Sequence, residues 1–292
     1  MSDLLYSIEG NGQCLDGGAM FGHVPKALWS RWLPPDPQNR IRLACRSMLI
    51  VSEGVSCLFE TGVGAFFSPE LATRYGIESP GRHLLTENLR NAGFRPEDID
   101  YVILSHLHFD HAGGLLSPFD PEQPDRRELM FPSARYVVSH EAWERARKPH
   151  IRDRASFIPE LQELLERSGR LILCGEGHCP ELPFQNLSFF LSHGHSPGQL
   201  HSCFRGKHRT VCFCGDLIPG LPWLHSPVTM GYDRFPEQII EEKMSLTARA
   251  EEENWILFYA HDPLWAGSAC RKDDHGKVTA VDKVASFRKT EF

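Results

Sequence analysis

The stretch that most constrains this chain is "SHLHFDHAGGL", residues 105–115, directly after the apolar run "YVIL" at 101–104. His106, His108, Asp110 and His111 lie within six residues at the point where a buried strand should end. A His-x-His pair in extended chain turns both imidazoles to the same side, because strand side chains alternate. Asp110 and His111 follow on the turn, so four ligand-type groups converge on a small volume. Neutral imidazole and carboxylate suit zinc, iron, manganese or cobalt, whereas a soft-metal site would show thiolates. The fold must therefore bring further ligands to the end of this strand.

Three more positions repeat the setting. His195 stands in "GHSPG" after the apolar stretch 189–191, Asp216 follows "TVCFCG", and His261 follows "WILFYA". Singly, a turn histidine, a helix cap and a core histidine would explain them. Joined to the first motif they form a constellation of ligand residues where strands end, as in folds that carry their sites on loops over a rigid scaffold.

The remainder reads as strands in groups with helices between them. "IRLACRSMLIV" and "VSCLFE" are two strands around Glu53-Gly54. "HLLTENLRNAGF" has helical spacing at Leu84, Leu85, Leu89 and Ala92, with Gly93 placed to stop it. Residues 236–253 form an amphipathic helix with Ile240, Met244, Thr247 and Ala250 along one side, and "WILFYA" is the last clear strand. No dinucleotide glycine motif, repeat or linker interrupts the pattern. The expectation is one mixed α/β domain over 1–292, two packed sheets with helices outside, residues 1–40 a covering segment and 271–292 a polar tail.

At 292 residues with a net charge of −7, the chain has no Lys/Arg block, which disfavours a nucleic-acid partner. No apolar run reaches the length of a membrane span, and the N-terminus lacks the basic and apolar regions of a signal peptide. The expected partner is a small-molecule substrate in the cytoplasm, with no membrane. Nine scattered cysteines suit reduced thiols rather than a disulfide framework. "CGEGHC" lacks a second Cys/His pair at finger spacing, and "VCFC" places two thiols on one strand face.

With "HLHFDH", "GHSPG", "GD" and "AHD" in that order, the chain resembles the metallo-β-lactamase-fold hydrolases over roughly residues 41–262. "LDGGAMFGHVPKALW", "FETGVG" and "FPSARYVVSHEAW" resemble the subgroup of acyl-homoserine lactonases and methyl-parathion-type hydrolases. The resemblance implies an α/β (α+β) fold, a four-layer αββα sandwich with two divalent metals, zinc first and manganese, cobalt or iron as alternatives, at one edge. His106, His108 and His195 would hold one metal, Asp110, His111 and His261 the other, and Asp216 would bridge them. It implies hydrolysis of a small lactone or ester by hydroxide bridging the metals, with Asp110 as the catalytic residue that passes a proton to the leaving oxygen. An organophosphate triester or a β-lactam is the alternative substrate; a mono-iron oxidoreductase, such as a persulfide dioxygenase, is the alternative of another class. The full ligand set argues against the latter, which uses mainly the first site.

Two positions depart from the family pattern. Gln199 stands where similar lactonases often have a second histidine, and Glu60 where an aspartate is usual. Some similar lactonases place a tyrosine shortly after the bridging aspartate, where this chain has Leu217, Ile218 and Pro219; Tyr232 is the candidate substitute. Phe21, Trp29 and Trp223, with Tyr232, are expected to line an apolar pocket, and the Trp-rich N-terminal segment could equally serve a homodimer.

Overall fold

The computed structural model describes residues 3–292. Its strands are β1 (Leu4–Glu9), β2 (Gln13–Asp16), β3 (Arg40–Leu43), β4 (Arg46–Ser52), β5 (Val55–Phe59), β6 (Tyr101–Ile103), β7 (Arg135–Ser139), β8 (Leu171–Cys174), β9 (Leu187–Ser192), β10 (Gln199–Arg205), β11 (Thr210–Phe213), β12 (Ile256–Phe258), β13 (Gly267–Lys272), β14 (Val278–Val284) and β15 (Thr290–Glu291). They form a seven-stranded sheet, β15-β1-β4-β5-β6-β7-β8, a six-stranded sheet, β14-β13-β12-β11-β10-β9, and a small β2-β3 ribbon. The β4–β5 hairpin turns at Glu53-Gly54, both at positive φ (51° and 84°), the geometry that lets a tight turn follow the strand twist.

Period-two alternation decides the layering. Met48 and Ile50, Cys57 and Phe59, Ile103 and Val137 point from the first sheet into a shared core. Phe189, Val211, Phe213, Ile256 and Phe258 meet them from the second. The intervening Leu49, Leu58, Val102, Tyr136 and Val138 face outward and are covered by the helices Leu84–Asn91, His140–Arg147 and Pro159–Arg167. On the far side Cys203, Cys212, Cys214 and Leu257 pack under the helix Pro236–Glu252. Helix, sheet, sheet and helix therefore follow in that order, the four-layer sandwich expected of the metallo-β-lactamase fold. Thiols Cys212 and Cys214 do share a face, and all nine cysteines are free, Cys174 and Cys179 inside the inter-sheet core.

Three expectations need correction. Residues 1–40 are not merely a cover: β1 is an interior strand of the first sheet, paired with β4 on one side and β15 on the other. Residues 271–292 are not merely a polar tail, since β14 pairs with β13, and Phe287 and Phe292 enter the core. The polar residues that disguise β14 face solvent at the sheet edge. The helix Pro236–Glu252 buries Ile239, Lys243, Leu246, Thr247 and Ala250, while Met244 is 55% exposed. The reason is Lys243, whose ammonium is enclosed and donates to the carbonyls of Trp223 (3.1 Å), His225 (3.4 Å) and Val228. Burial pushes it down to about 8, with Asp233 opposing. An apolar-periodicity reading assigns a lysine to the solvent side and so rotates the helix.

Candidate metal centre

All the candidate ligands emerge at one edge of the sandwich, where the parallel pairs β5/β6 and β11/β12 both end. His106 and His108 follow β6, and Asp110 and His111 open the short helix Phe109–Ala112. His195 follows β9, Asp216 follows β11 and His261 follows β12. Gly113 and Gly114 make the crowding possible: a Cβ would lie 2.4 Å from the Val63 carbonyl oxygen at the first and 2.1 Å from that of Thr61 at the second. Close approach of two backbones, rather than an unusual φ, is what these glycines permit.

Two trios result, His106/His108/His195 and Asp110/His111/His261, each with donor atoms within 4.8 Å of one another. His106 Nε2 lies 2.9 Å, and His195 Nε2 3.3 Å, from His108 Nδ1. His261 Nε2 is 3.2 Å from His111 Nε2. Asp216 sits between the trios: Oδ2 is 3.2 Å from His195 Nε2 and 3.3 Å from His111 Nε2, and Oδ1 is 3.2 Å from His261 Nε2. Two nitrogens on one tetrahedral zinc, bound at about 2.0–2.1 Å, stand roughly 3.3 Å apart. The donor set, its spacing, and a buried Asp216 Oδ1 that makes no hydrogen bond all fit divalent cations.

The outward ring nitrogens of four of the five histidines are held, whereas His108 Nε2 is buried without a partner. His106 Nδ1 lies 2.9 Å from Ser105 Oγ, His111 Nδ1 2.6 Å from Glu60 Oε2, His195 Nδ1 2.9 Å from Asp233 Oδ1, and His261 Nδ1 2.7 Å from the Ala44 carbonyl. Such contacts fix the tautomer and aim the free nitrogen inward. Glu60 also lies within ligand reach of His106 and His111. Its two oxygens, however, are taken by His111 Nδ1 and the Ser105 hydroxyl, which makes it an orienting group. Glu60→Gln is expected to weaken metal affinity by about 10- to 100-fold, read by competition with a chromogenic chelator. Unaltered affinity would remove Glu60 from that role.

Burial pushes His106 well below the ordinary imidazole range, and His108 down to about 3. Those rings are neutral bases, the form that binds a cation. Burial acts the same way on His111, His195 and His261, yet the facing carboxylates overcome it and all three are raised. Asp216 resists burial in turn, and His111, His261 and His195 hold it well below the usual carboxylate range. The edge thus concentrates buried negative charge that calls for positive partners.

A cavity of about 370 Å³ opens over the cluster, reaching His108, Asp110, His195, Asp216 and His261. Leu15, Met20, Tyr75, Phe109, Met230 and Tyr232 give it apolar walls. Tyr232 therefore lies where expected, but Phe21, Trp29 and Trp223 do not. Phe21 is stacked between the two indoles at ring distances of 5.4 and 4.7 Å, and all three are buried in a separate core. The expectation erred because stacked aromatics beside a site read alike whether they face a cavity or each other. Gln199 is fully buried against His201 and Ser192, outside the two trios. Sequence reasoning missed Asp233 and Gln13, whose Nε2 donates to Asp110 Oδ2 at 2.7 Å. Neither adjoins a motif; only the buried state of Gln13 in the fold marks it.

A family model described as the metallo-beta-lactamase superfamily matches residues 40–117. An N-acyl homoserine lactonase of Bacillus cereus is 65% identical over 91 residues, 27% of this chain and 34% of the relative, so the matched stretch spans about a third of that protein. A solved structure of a probable metal-dependent hydrolase from Staphylococcus aureus is 26% identical, covers 100% of this chain and 99% of its own, and superposes with a TM-score of 0.84. AidC, a dizinc quorum-quenching lactonase solved with N-hexanoyl-L-homoserine, shares the fold at a TM-score of 0.72 and 19% identity, covering 95% of this chain and 93% of its own. Residues 40–117 thus match the metallo-β-lactamase superfamily, and the whole chain has the fold of the Staphylococcus aureus hydrolase.

Proposed function

We propose that this protein is a binuclear metal-dependent hydrolase of a small lactone or ester, with N-acyl homoserine lactones as the leading substrates. The observation that carries the reading is Asp216, with one oxygen between His195 and His111 and the other toward His261. One cation would be held by His106, His108 and His195, a second by Asp110, His111 and His261, with Asp216 common to both. Divalent cations bound there lower the pKa of water toward neutrality and polarise a carbonyl oxygen. The protein's own groups do the rest. In the balanced reaction a water oxygen bonds to the acyl carbon, the acyl C–O bond breaks, and the departing alkoxide takes a proton. Asp110 is the proton carrier: it is the cluster residue with 14% of its side chain exposed to the cavity, and Gln13 fixes its Oδ2. Tyr232 carries a phenol whose pKa is raised by burial and by Asp110, so it stays protonated and can donate to the substrate carbonyl. The walls exclude water and accept an acyl chain.

The test is metal content together with turnover. Protein purified without added metal should carry about two equivalents of zinc, manganese or cobalt and should open N-hexanoyl homoserine lactone, followed by acid release. Chelation should abolish the activity, and metal should restore it. A single iron, or hydrolysis of paraoxon or nitrocefin with no lactone opening, would overturn the reading.

A further inference from the structure

The hydrolytic chemistry gives no task to Lys243, which is fully enclosed in the helix Pro236–Glu252. A side chain needed only to fill that space would be apolar, since a lysine is seldom buried unless its ammonium is matched. Here it is matched by one loop, through the carbonyls of Trp223 (3.1 Å), His225 (3.4 Å) and Val228. From Val228 that loop runs directly to Asp233, whose Oδ2 accepts from the Met230 N–H at 2.7 Å. Asp233 Oδ1 in turn lies 2.9 Å from His195 Nδ1.

The preceding residue of the same helix holds the other half of this pair. The Glu242 carboxylate accepts from the backbone N–H groups of His193 (2.8 Å, Oε1) and Gly194 (3.1 Å, Oε2), directly before His195. Gln238 Nε2 donates to Glu242 Oε1 at 3.0 Å and steadies it. At the start of the helix, the Phe235 N–H donates to the Gly194 carbonyl at 2.8 Å. A Cβ on Gly194 would lie 2.7 Å from the Ile239 backbone nitrogen, so the segment before His195 is seated against the helix itself. Successive residues of one rigid element thus hold two loops that meet in the Asp233–His195 contact. A carboxylate receives N–H groups and an ammonium gives to carbonyls, and such charge-assisted bonds are stronger than neutral ones.

We propose that Glu242 and Lys243 are positioning residues for the candidate metal centre: together they set Asp233 against His195, and so the aim of His195 Nε2. The proposal rests on the metal-dependent hydrolase reading, in which His195 is a ligand. Neither residue belongs to the two trios or lines the cavity over them. The helix Pro236–Glu252 covers the outer face of the second sheet. A ligand at the sandwich edge is therefore aligned by a whole layer rather than by its own loop.

The test is a double-mutant cycle on zinc affinity, read by competition with a chromogenic chelator. Asp233→Asn should weaken one of the two ions by about 10- to 100-fold, and Lys243→Met or Glu242→Gln by about tenfold. In the Asp233→Asn background, Lys243→Met should cost less than about threefold, because residues that act through one contact do not add. A second readout needs neither metal nor turnover. In the metal-free wild type, the His195 Nδ1 proton enclosed with Asp233 should give a downfield proton resonance. Its exchange with water should quicken at least about tenfold in Lys243→Met and Glu242→Gln. If the wild type binds no metal pair or opens no lactone, the hydrolase reading fails, while this proton still decides the proposal. Zinc affinity and proton exchange both within about threefold of the wild type in the two variants would overturn it, whatever their unfolding midpoints. Losses that multiply in full with that of Asp233→Asn would do the same. Should Lys243→Met not fold, Glu242→Gln, at a half-buried position, carries the same cycle.

Discussion

Asp216→Ala should lower turnover of N-hexanoyl homoserine lactone by at least about a thousandfold and cut bound metal from two equivalents to one or fewer. Several kcal/mol of transition-state stabilisation is what a metal pair supplies, and each 1.36 kcal/mol is a factor of ten. Asp216 contacts both trios, so its loss weakens both at once, unlike loss of any one histidine. The fold should persist: Asp216 lies beyond the end of β11, and the inter-sheet core continues without it. Three imidazoles lose the carboxylate that supports their charge, which leaves the metal-free variant with more buried repulsion. Metal analysis and single-turnover kinetics check the result. Activity within tenfold of the wild type would sink the two-metal mechanism.

The second large effect falls on stability. Phe21→Ala should cost about 3–5 kcal/mol in denaturant unfolding, the range for removing a fully buried aromatic. Phe21 is wholly enclosed and stacked on both Trp29 and Trp223. The void would open between two indoles that are themselves pinned. Trp223 Nε1 donates to the Met20 carbonyl at 2.9 Å, and Lys243 holds the Trp223 carbonyl from below. Neither can readily collapse inward. A pocket residue would behave differently, with catalysis altered and stability nearly constant. A loss under 1 kcal/mol with a changed substrate preference would return Phe21 to the pocket wall.

That contrast marks how far the sequence could be read. The ligands were legible because chemistry and position coincide: a histidine or aspartate that directly follows an apolar strand has few other reasons to be there. The four layers were legible because Met48/Ile50 against Leu49, and Val211/Phe213 against Cys212, alternate cleanly. Of the groups behind the ligands, only Glu60 was marked in the sequence, as a departure from the family pattern. Asp233 and the Ala44 carbonyl act from loops and Gln13 from β2, all far along the chain from their partners, and nothing local distinguishes Asp233 from any other loop aspartate. β14 was hidden because an edge strand half-covered by solvent needs only a weak apolar face. The rotation of Pro236–Glu252 was hidden because a buried lysine reverses the rule on which periodicity depends.

The way the ligands are distributed bears on how the protein is made. His261 meets His111 across 150 positions, and His195 meets His108 across 87. Such pairings are paid for in loop entropy before they return anything, and they come late in assembly. No short fragment containing "HLHFDH" has the remaining donors within reach. On the proposed reading, a cation would engage its full set only after both sheets have docked, so metal uptake would mark the final step of maturation rather than seed it. Once bound, it would rivet the two halves of the sandwich across their open edge and slow their parting.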